Sequence, residues 1–372
     1  MHRPVPLLVI LGLGVPLAAC SDATSPPEFK STSPDPLAVS VMARNAYVGA
    51  DVDAVIAALG TADQTDDFPA LQFAIQTLGM TDFPSRAQAL AGEIALTRPH
   101  VVGFAENSFI DIDLTPLGVA VDFTLDFLPI LQAALADRGL TYAVGAQVQN
   151  IDVSVAGGLV HLVDYDVVLY DAERVAWQTV VAQNFENNVP PEMLPPGLVL
   201  KRGWIWGRAT IGANTVNVVS THPESGGDGD ATHPLSQLRA GQAFEIMAAL
   251  EGVSPVIVMG DLNDQPGSPL YGVLSGSAFT DVWSALRPGE VGNTCCHASD
   301  LSNETTSFTK RIDYIFARGF EHPGGDFQKS WIAMTGADPS ERVEGPAYPI
   351  WASDHAGLVA EFFLPPASGL RN

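Results

Sequence analysis

Basic side chains are scarce in this sequence. Its 372 residues carry 18 Lys plus Arg against 42 Asp plus Glu, a formal net charge of −24. An acidic surface repels polyanions and lacks the patch through which non-specific nucleic-acid binding releases counterions. Only Lys201-Arg202, Arg208, Arg239 and Lys310-Arg311 could supply a local basic strip. Nucleic acid is therefore a disfavoured partner, unless such a strip or bound cations compensate. Cysteine is nearly absent as well: Cys20, Cys295 and Cys296 are all there is, so no framework of long-range disulfides is available. No internal repeat and no second linker break the chain. Past the first twenty residues no apolar run is long enough to cross a bilayer. Aromatic residues form no evident stacking platform. Trp204 and Trp206 sit two apart on one strand face, which points to packing.

What is present begins with a leader. Arg3 supplies a positive start, and Val5 to Leu17 is apolar but short for a membrane span. Leu17-Ala18-Ala19-Cys20 resembles a bacterial lipobox, which implies residues 1–19 as a lipoprotein signal peptide and a lipid on Cys20. The alternative is a secretory peptide cut after Ala19, with Cys20 a free thiol. Residues 20–36 are rich in Ser, Thr, Pro and Asp and read as a flexible tether. The expectation is an exported protein, lipid-anchored to the cell envelope, with one domain over 37–372. It is expected to be a monomer.

Within that domain the hydrophobic period changes repeatedly. Leu37–Asn45, 101–106, Leu140–Val144, Leu159–Leu162, Asp166–Tyr170, Val175–Ala182, Gly203–Ile211, Asn214–Ser220, Pro255–Gly260, Ile312–Ala317 and Gly357–Phe363 read as strands. Asp51–Leu59, Pro69–Leu78, Pro84–Leu96, Asp122–Ala136, Leu235–Leu250 and Pro269–Leu274 read as helices. Strands grouped in runs, with helices between the runs, suggest two packed sheets with helices outside.

Four polar signatures fall where hydrophobic runs stop: STHPE at 220–224, MGDLND at 259–264, RIDYIF at 311–316 and SDHAG at 353–357. Strands ending in carboxylate, amide and imidazole groups suggest one polar pocket at a sheet rim, suited to metal-assisted attack on a phosphate ester. Glu106 ends VVGFAE, where a single carboxylate could hold a hard cation; read alone it is a cap, as Asn45 alone is a turn. Asp261 and Asn263 flank Leu262, so extended backbone would aim both the same way, the alternative being an Asx-turn. Asp313 lies inside an apolar strand and needs a partner. His355 is the candidate; Arg311, adjacent and facing the other side, is the weaker one. A strand-end His such as His222 is more often a structural hydrogen-bonder, the reading kept for His100, His161, His233, His297 and His322. Glu224 and Gly226–Asp230 read as a solvated turn. Cys295 and Cys296 could form a vicinal disulfide stiffening their loop, or be free thiols or bonded to another chain.

Taken in order, Asn45, Glu106, His222, Asp261 with Asn263, Asp313, and Asp354 with His355 resemble the pattern of the endonuclease/exonuclease/phosphatase superfamily. That group includes pancreatic-type deoxyribonuclease, abasic-site nucleases, inositol-phosphate phosphatases and bacterial sphingomyelinases. The resemblance runs from about Leu37 to Phe363, with one departure: Arg44 stands where the family usually has an aromatic residue. It implies an α+β or α/β four-layer sandwich of two mostly antiparallel sheets with outer helices. It also implies Mg²⁺ (or Mn²⁺ or Ca²⁺) held by Glu106, Asn45 and Asp354. Water aligned by Asp261 and Asn263 would attack phosphorus, with His222 and His355 on phosphate oxygens and Asp313 orienting His355, the favoured base. The expected activity is hydrolysis of a phosphodiester or phosphomonoester outside the cytoplasm. A secreted endo- or exonuclease and a non-catalytic surface-binding lipoprotein are the alternatives.

Overall fold

The computed structural model describes residues 38–364, apart from 63–64, 196–197, 228, 323–324 and 328. The expected signal peptide and tether, with Cys20, lie outside the described residues.

In chain order the main elements are β1 (Ala38–Asn45), α1 (Val52–Leu59), α2 (Asp67–Thr81), α3 (Phe83–Thr97), β2 (Val101–Asp113), β3 (Asp122–Asp126), α4 (Phe127–Ala136), β4 (Tyr142–Val155), β5 (Val160–Asp171) and β6 (Ala176–Asn184). Then come β7 (Gly203–Ile211), β8 (Asn214–His222), α5 (Pro234–Ala249), β9 (Val256–Asp261), α6 (Pro269–Gly276), β10 (Thr280–Asp281), α7 (Val282–Leu286) and β11 (Asp313–Arg318). The chain closes with β12 (Glu321–His322), β13 (Gly325–Asp326), β14 (Trp331–Thr335), β15 (Val343–Glu344), β16 (Pro349–Ile350) and β17 (Gly357–Phe363).

Two sheets carry the fold. The first runs β14-β17-β1-β2-β5-β4, with β3 on the far end of β2; the second runs β10-β11-β9-β8-β7-β6. Each has one parallel pair, β1 with β2 and β8 with β9, and is otherwise antiparallel. Strand alternation makes the layers. Val41, Val101, Val218, Ile257, Ile315 and Leu358 meet between the sheets. Met42, Val102 and Leu169 point outward onto Leu90, Ile94 and Leu131 of α3 and α4, while Val219, Val258 and Phe316 meet Ile246 and Leu270 of α5 and α6. The result is helix, sheet, sheet, helix, the expected four layers. Trp204 and Trp206 lie in the α5 layer, as packing predicted. Tyr142 is also core, its hydroxyl donating to Pro99 O at 2.6 Å.

Several boundaries differ from the sequence reading. Residues 122–126 form β3, not the start of a helix: Phe123 and Leu125 alternate with polar residues, and β2, reaching Asp113 instead of 106, extends far enough to pair with them. Leu159–Leu162 and Asp166–Tyr170 belong to one strand, β5, and β4 runs on from 142 to 155 beside it. The second helix spans Asp67–Thr81, with Pro69 inside its first turn rather than at its start. Strand β14 and helix α7, both short, carry too little periodicity to stand out.

Candidate functional site

Sheet topology gathers the polar signatures at one rim. β1, β2, β8 and β9 run in the same sense within their sheets, so Asn45, His222 and Asp261 emerge at the carboxyl ends of β1, β8 and β9, and Glu106 stands level with the end of β1, at an irregularity midway along β2. β11 is antiparallel to β9, with Asp313 opposite Asp261, and β17 is antiparallel to β1, which brings Asp354 and His355 to the same edge. All except Asn45 and Asp313 line one pocket of about 350 Å³ together with Tyr47, Asp53, Arg202, Asn263 and Lys310. Asn45 and Asp313 are buried directly behind it.

Local backbone aims these groups. Gly260, at φ 145°, has no room for a side chain, since a Cβ there would sit 1.9 Å from Thr221 O; glycine lets β9 pass β8 just before Asp261. Midway along β2 the register with β5 shifts between Phe104 and Asn107, and Glu106 takes φ 57°. This bulge turns the carboxylate into the pocket. Tyr47 and Asn263 are left-handed too, at φ 58° and 52°. Three such residues around one pocket mark the strain that functional sites concentrate.

The carboxylates are tied together. Asn45 Nδ2 donates to Glu106 Oε1 at 2.8 Å and to Asp261 Oδ2 at 3.1 Å, while Val48 N–H donates to Glu106 Oε2 at 3.0 Å. Asn45 Oδ1 accepts from Tyr47 N–H at 2.7 Å. The expected metal ligand Asn45 therefore presents its amide nitrogen, and acts here as a bracket joining two carboxylates. Asp261 Oδ1 accepts from Asn263 N–H at 3.0 Å, the Asx-turn, which leaves Oδ2 facing the pocket. The expected extended geometry at 261–263 is not found: β9 ends at Asp261, and Asn263 Nδ2 donates to Pro223 O at 3.1 Å.

Both histidines approach Asp261. His222 Nε2 is 3.7 Å and His355 Nε2 3.8 Å from Asp261 Oδ2. His355 Nδ1 lies 2.8 Å from Asp313 Oδ2, the pair expected for the buried aspartate. The competing partner, Arg311, instead meets Asp281 at 2.8 Å. Burial opposes charge on His355, but Asp313, Asp354 and Asp261 outweigh it and hold its pKa well above the ordinary imidazole range. For His222, burial and Arg202 oppose charge, and Asp166 and Asp261 prevail, raising the pKa. Burial would raise Asp261, yet the two imidazoles hold it below the usual carboxylate value. Asp354 is pushed up to about 7 by burial, against the pull of His355 and with the help of Glu106 and Asp261.

That crowding bears on a cation. Glu106, Asp261 and Asp354 face one small pocket, and donor atoms of Glu106, His222 and Asp261 lie within 4.8 Å of one another. Clustered hard oxygens that repel one another suit a divalent ion such as Mg²⁺. Glu106, Asp261 and Asp354 are the groups that would hold it.

Sequence reasoning missed several contributors. Asp166 of β5 lies 3.5 Å from His222 Nδ1, and Arg202 Nη1 is 3.2 Å from the same atom. An aspartate inside an apolar strand was the available signal, as at Asp313. Glu224 is buried, not part of a solvated turn: its Oε1 lies 3.5 Å from Arg202 Nε, and its N–H donates to Gln242 at 3.0 Å. The basic strip is only partly available: Lys201 and Arg208 are exposed and Lys310 lines the pocket, but the other three members are not free. Arg202, Arg239 and Arg311 are buried against Glu224, Asp264 and Asp281. Arg44, the departure from the family pattern, donates to Glu93 Oε1 at 2.9 Å and to the His355 carbonyl. Cys295 and Cys296 are bonded to each other in the pocket wall, and Cys295 pairs through its backbone with Lys310 and His355. Among the other histidines, His100 bonds Ser40, His161 meets Asp152, His233 caps α5, and His297 is held by Asn303. The side chain of His322 lies outside the described residues.

Known proteins resemble the chain in family and fold. The family described as "Endonuclease/Exonuclease/phosphatase family" matches residues 78–355. A structure from Beutenbergia cavernae, described as an endonuclease/exonuclease/phosphatase, superposes with TM-score 0.51 at 18% identity, covering 89% of this chain and 72% of that one. The human Nocturnin catalytic domain with bound sulfate anion gives 0.50 at 14%, covering 87% and 94%. Caenorhabditis elegans TDP2 gives 0.48 at 15%, covering 88% and 97%. No curated protein matches the sequence significantly.

Proposed function

The chain belongs to the endonuclease/exonuclease/phosphatase family, and from that premise we propose that it hydrolyses phosphate esters with the help of a divalent cation. One observation carries the reading: three carboxylates and two imidazoles from both sheets converge on a single pocket. When bound, a divalent cation neutralises charge on the phosphate and the leaving oxygen. Glu106 and Asp354 would hold it, and Asp261 faces the same pocket.

The remaining steps belong to the chain's own groups. Asp261 stays ionised between two imidazoles and, with Asn263 beside it, aligns a water and accepts its proton. The water oxygen bonds to phosphorus, the P–O bond to the alcohol breaks, and the leaving oxygen takes a proton from solvent while Asp261 gives back to solvent the one it accepted. His355, kept charged by its carboxylate neighbours, presents Nε2–H to a phosphate oxygen, as does His222. This exchanges the roles favoured from sequence, making Asp261 the base and His355 the electrostatic partner that Asp313 orients. A nucleic-acid substrate gains little support, because three of the four arginines that might have tracked a backbone, Arg202, Arg239 and Arg311, are buried in ion pairs.

Turnover of bis(4-nitrophenyl) phosphate that EDTA abolishes and Mg²⁺ restores would support this function. Absence of turnover on phosphodiesters and phosphomonoesters alike, with Mg²⁺, Mn²⁺ or Ca²⁺ present, would leave only a binding protein. We also propose that the protein acts outside the cytoplasm, anchored by a lipid on Cys20, on the strength of the lipobox-like leader. A Cys20→Ala chain should then leave the membrane fraction; if it stays there, the anchor lies elsewhere.

A further inference from the structure

Beside the polar pocket lies a second cavity, of about 80 Å³, walled only by apolar side chains. Helices α1 and α2 bring Val55, Leu71 and Ala74 to it, and the outer face of the first sheet brings Ile110, Val153 and Leu162. Protein interiors are packed closely enough that such gaps are normally filled. Here Val52, Val55, Ile56 and Leu59 share one face of α1 yet remain only half-buried.

The cavity adjoins the reactive site. Val48, Ala50 and Val52 line both. A narrower space of about 70 Å³ lies between the two, with Ile56, Ile151 and Leu162 on one side and Glu106, Asp53 and Arg202 on the other. An apolar space that opens beside convergent polar groups is the usual shape of a ligand site.

We propose that the substrate is a phosphate ester bearing an unbranched aliphatic chain, with the phosphate against His222 and His355 in the polar pocket and the chain in this cavity. The inference rests on the phosphoesterase reading and names its substrate class. The apolar walls offer a polar tail no hydrogen-bond partner, so sugars and bases are poorly suited. A cavity of about 150 Å³ accepts benzene, so this one together with its passage suits about four to eight carbons. The chain could belong to a small alkyl ester or to a membrane phospholipid; the shared chemistry is an aliphatic phosphate ester.

The test uses the full chain in detergent-free buffer with Mg²⁺ and a series of 4-nitrophenyl phosphodiesters bearing methyl, butyl or octyl groups. Burying each methylene should raise kcat/KM about fourfold until the cavity is full. Ala74→Phe, which fills the cavity from α2, should abolish the gain and leave the methyl ester unchanged. Ile75→Trp serves the same purpose if that variant does not fold. A flat series with the methyl ester still cleaved overturns the chain site and spares the phosphoesterase. If no ester is cleaved, that reading falls, and calorimetry with octyl and methyl phosphonate decides the site: tighter octyl binding, lost in Ala74→Phe, supports it, and equal binding overturns it. Once a gain is seen, a short-chain monomeric phospholipid against long-chain vesicles separates the sources: cleavage of vesicles supports a bilayer substrate, and cleavage of the monomer alone a soluble one.

Discussion

Asp313 Oδ2 and His355 Nδ1 lie 2.8 Å apart although they come from different sheets. Asp313 opens β11 of the second sheet, and His355 stands just before β17 of the first. The carboxylate fixes the ring so that Nε2 faces Asp261 and Asp354. Replacing Asp313 with Asn keeps the shape but removes the charge that sustains the imidazolium. We expect Asp313→Asn to lower kcat by about 100-fold or more with the fold intact. Turnover within a few-fold of wild type, in a protein with unchanged near-ultraviolet circular dichroism, would remove His355 from the chemistry.

A cation between Glu106 and Asp354 should also be visible without any substrate. An ion that binds only the folded chain stabilises it by about 2.7 kcal/mol at a hundred times its Kd. For a domain of this size that amounts to several degrees of Tm. We expect Tm to climb with added Mg²⁺ in the wild type, and the climb to be lost in Glu106→Gln and Asp354→Asn. Melting curves for all three proteins, with and without Mg²⁺, are the measurement. An equal rise in the variants would mean that the ion binds elsewhere.

Much of this site was legible because its residues interrupt hydrophobic runs. Asp261, Asp313 and His355 each stand at a strand end, and a polar group there calls for a partner. The outer layers of the sandwich were legible from helical stripes such as Ala87, Leu90, Ala91 and Ile94. Tertiary pairing was not. The β3 segment is a strand only because β2 runs on past the end of β1 and offers it a free edge, and nothing within five residues announces that partner. Glu224 looked solvated because Gly-rich sequence follows it, yet Arg202, 22 positions earlier, holds it inside. The apolar cavity had no sequence signature, since its walls read as ordinary core.

Neutral buried histidines predict the response to acid. His100 Nδ1 accepts from Ser40 N–H at 3.0 Å. Burial, helped by Arg174, pushes its pKa down to about 3. A folded-state pKa below the unfolded value near 6.5 means that the unfolded chain takes up the proton first. Stability from this group is whole above pH 6.5 and drains as pH falls toward the folded value, at up to about 1.4 kcal/mol per pH unit. The gap in unfolding free energy between wild type and His100→Gln should therefore shrink between pH 6.5 and 4, as read from urea titrations. A constant gap would show that His100 titrates alike in both states.

Arg44 is where the chain departs from its family's usual aromatic residue, and the structure gives it two tasks. It is fully buried, meets Glu93 Oε1 at 2.9 Å, and donates to the carbonyl of His355. Glu93 is held on its other oxygen by Thr335 Oγ1 at 2.7 Å. Burial raises the Glu93 pKa even with Arg44 and Thr335 pulling it down, so the ion pair only partly offsets desolvation. Removing the carboxylate strands a guanidinium among core side chains. We expect Glu93→Ala to cost about 3–5 kcal/mol of unfolding free energy, and Glu93→Gln less, because the amide oxygen still accepts from Arg44. Because Arg44 also positions the His355 backbone, kcat should fall in Glu93→Ala under conditions where the protein remains folded. Loss of stability with kcat intact would confine the pair to the core, and loss of neither would mean that Arg44 finds another partner.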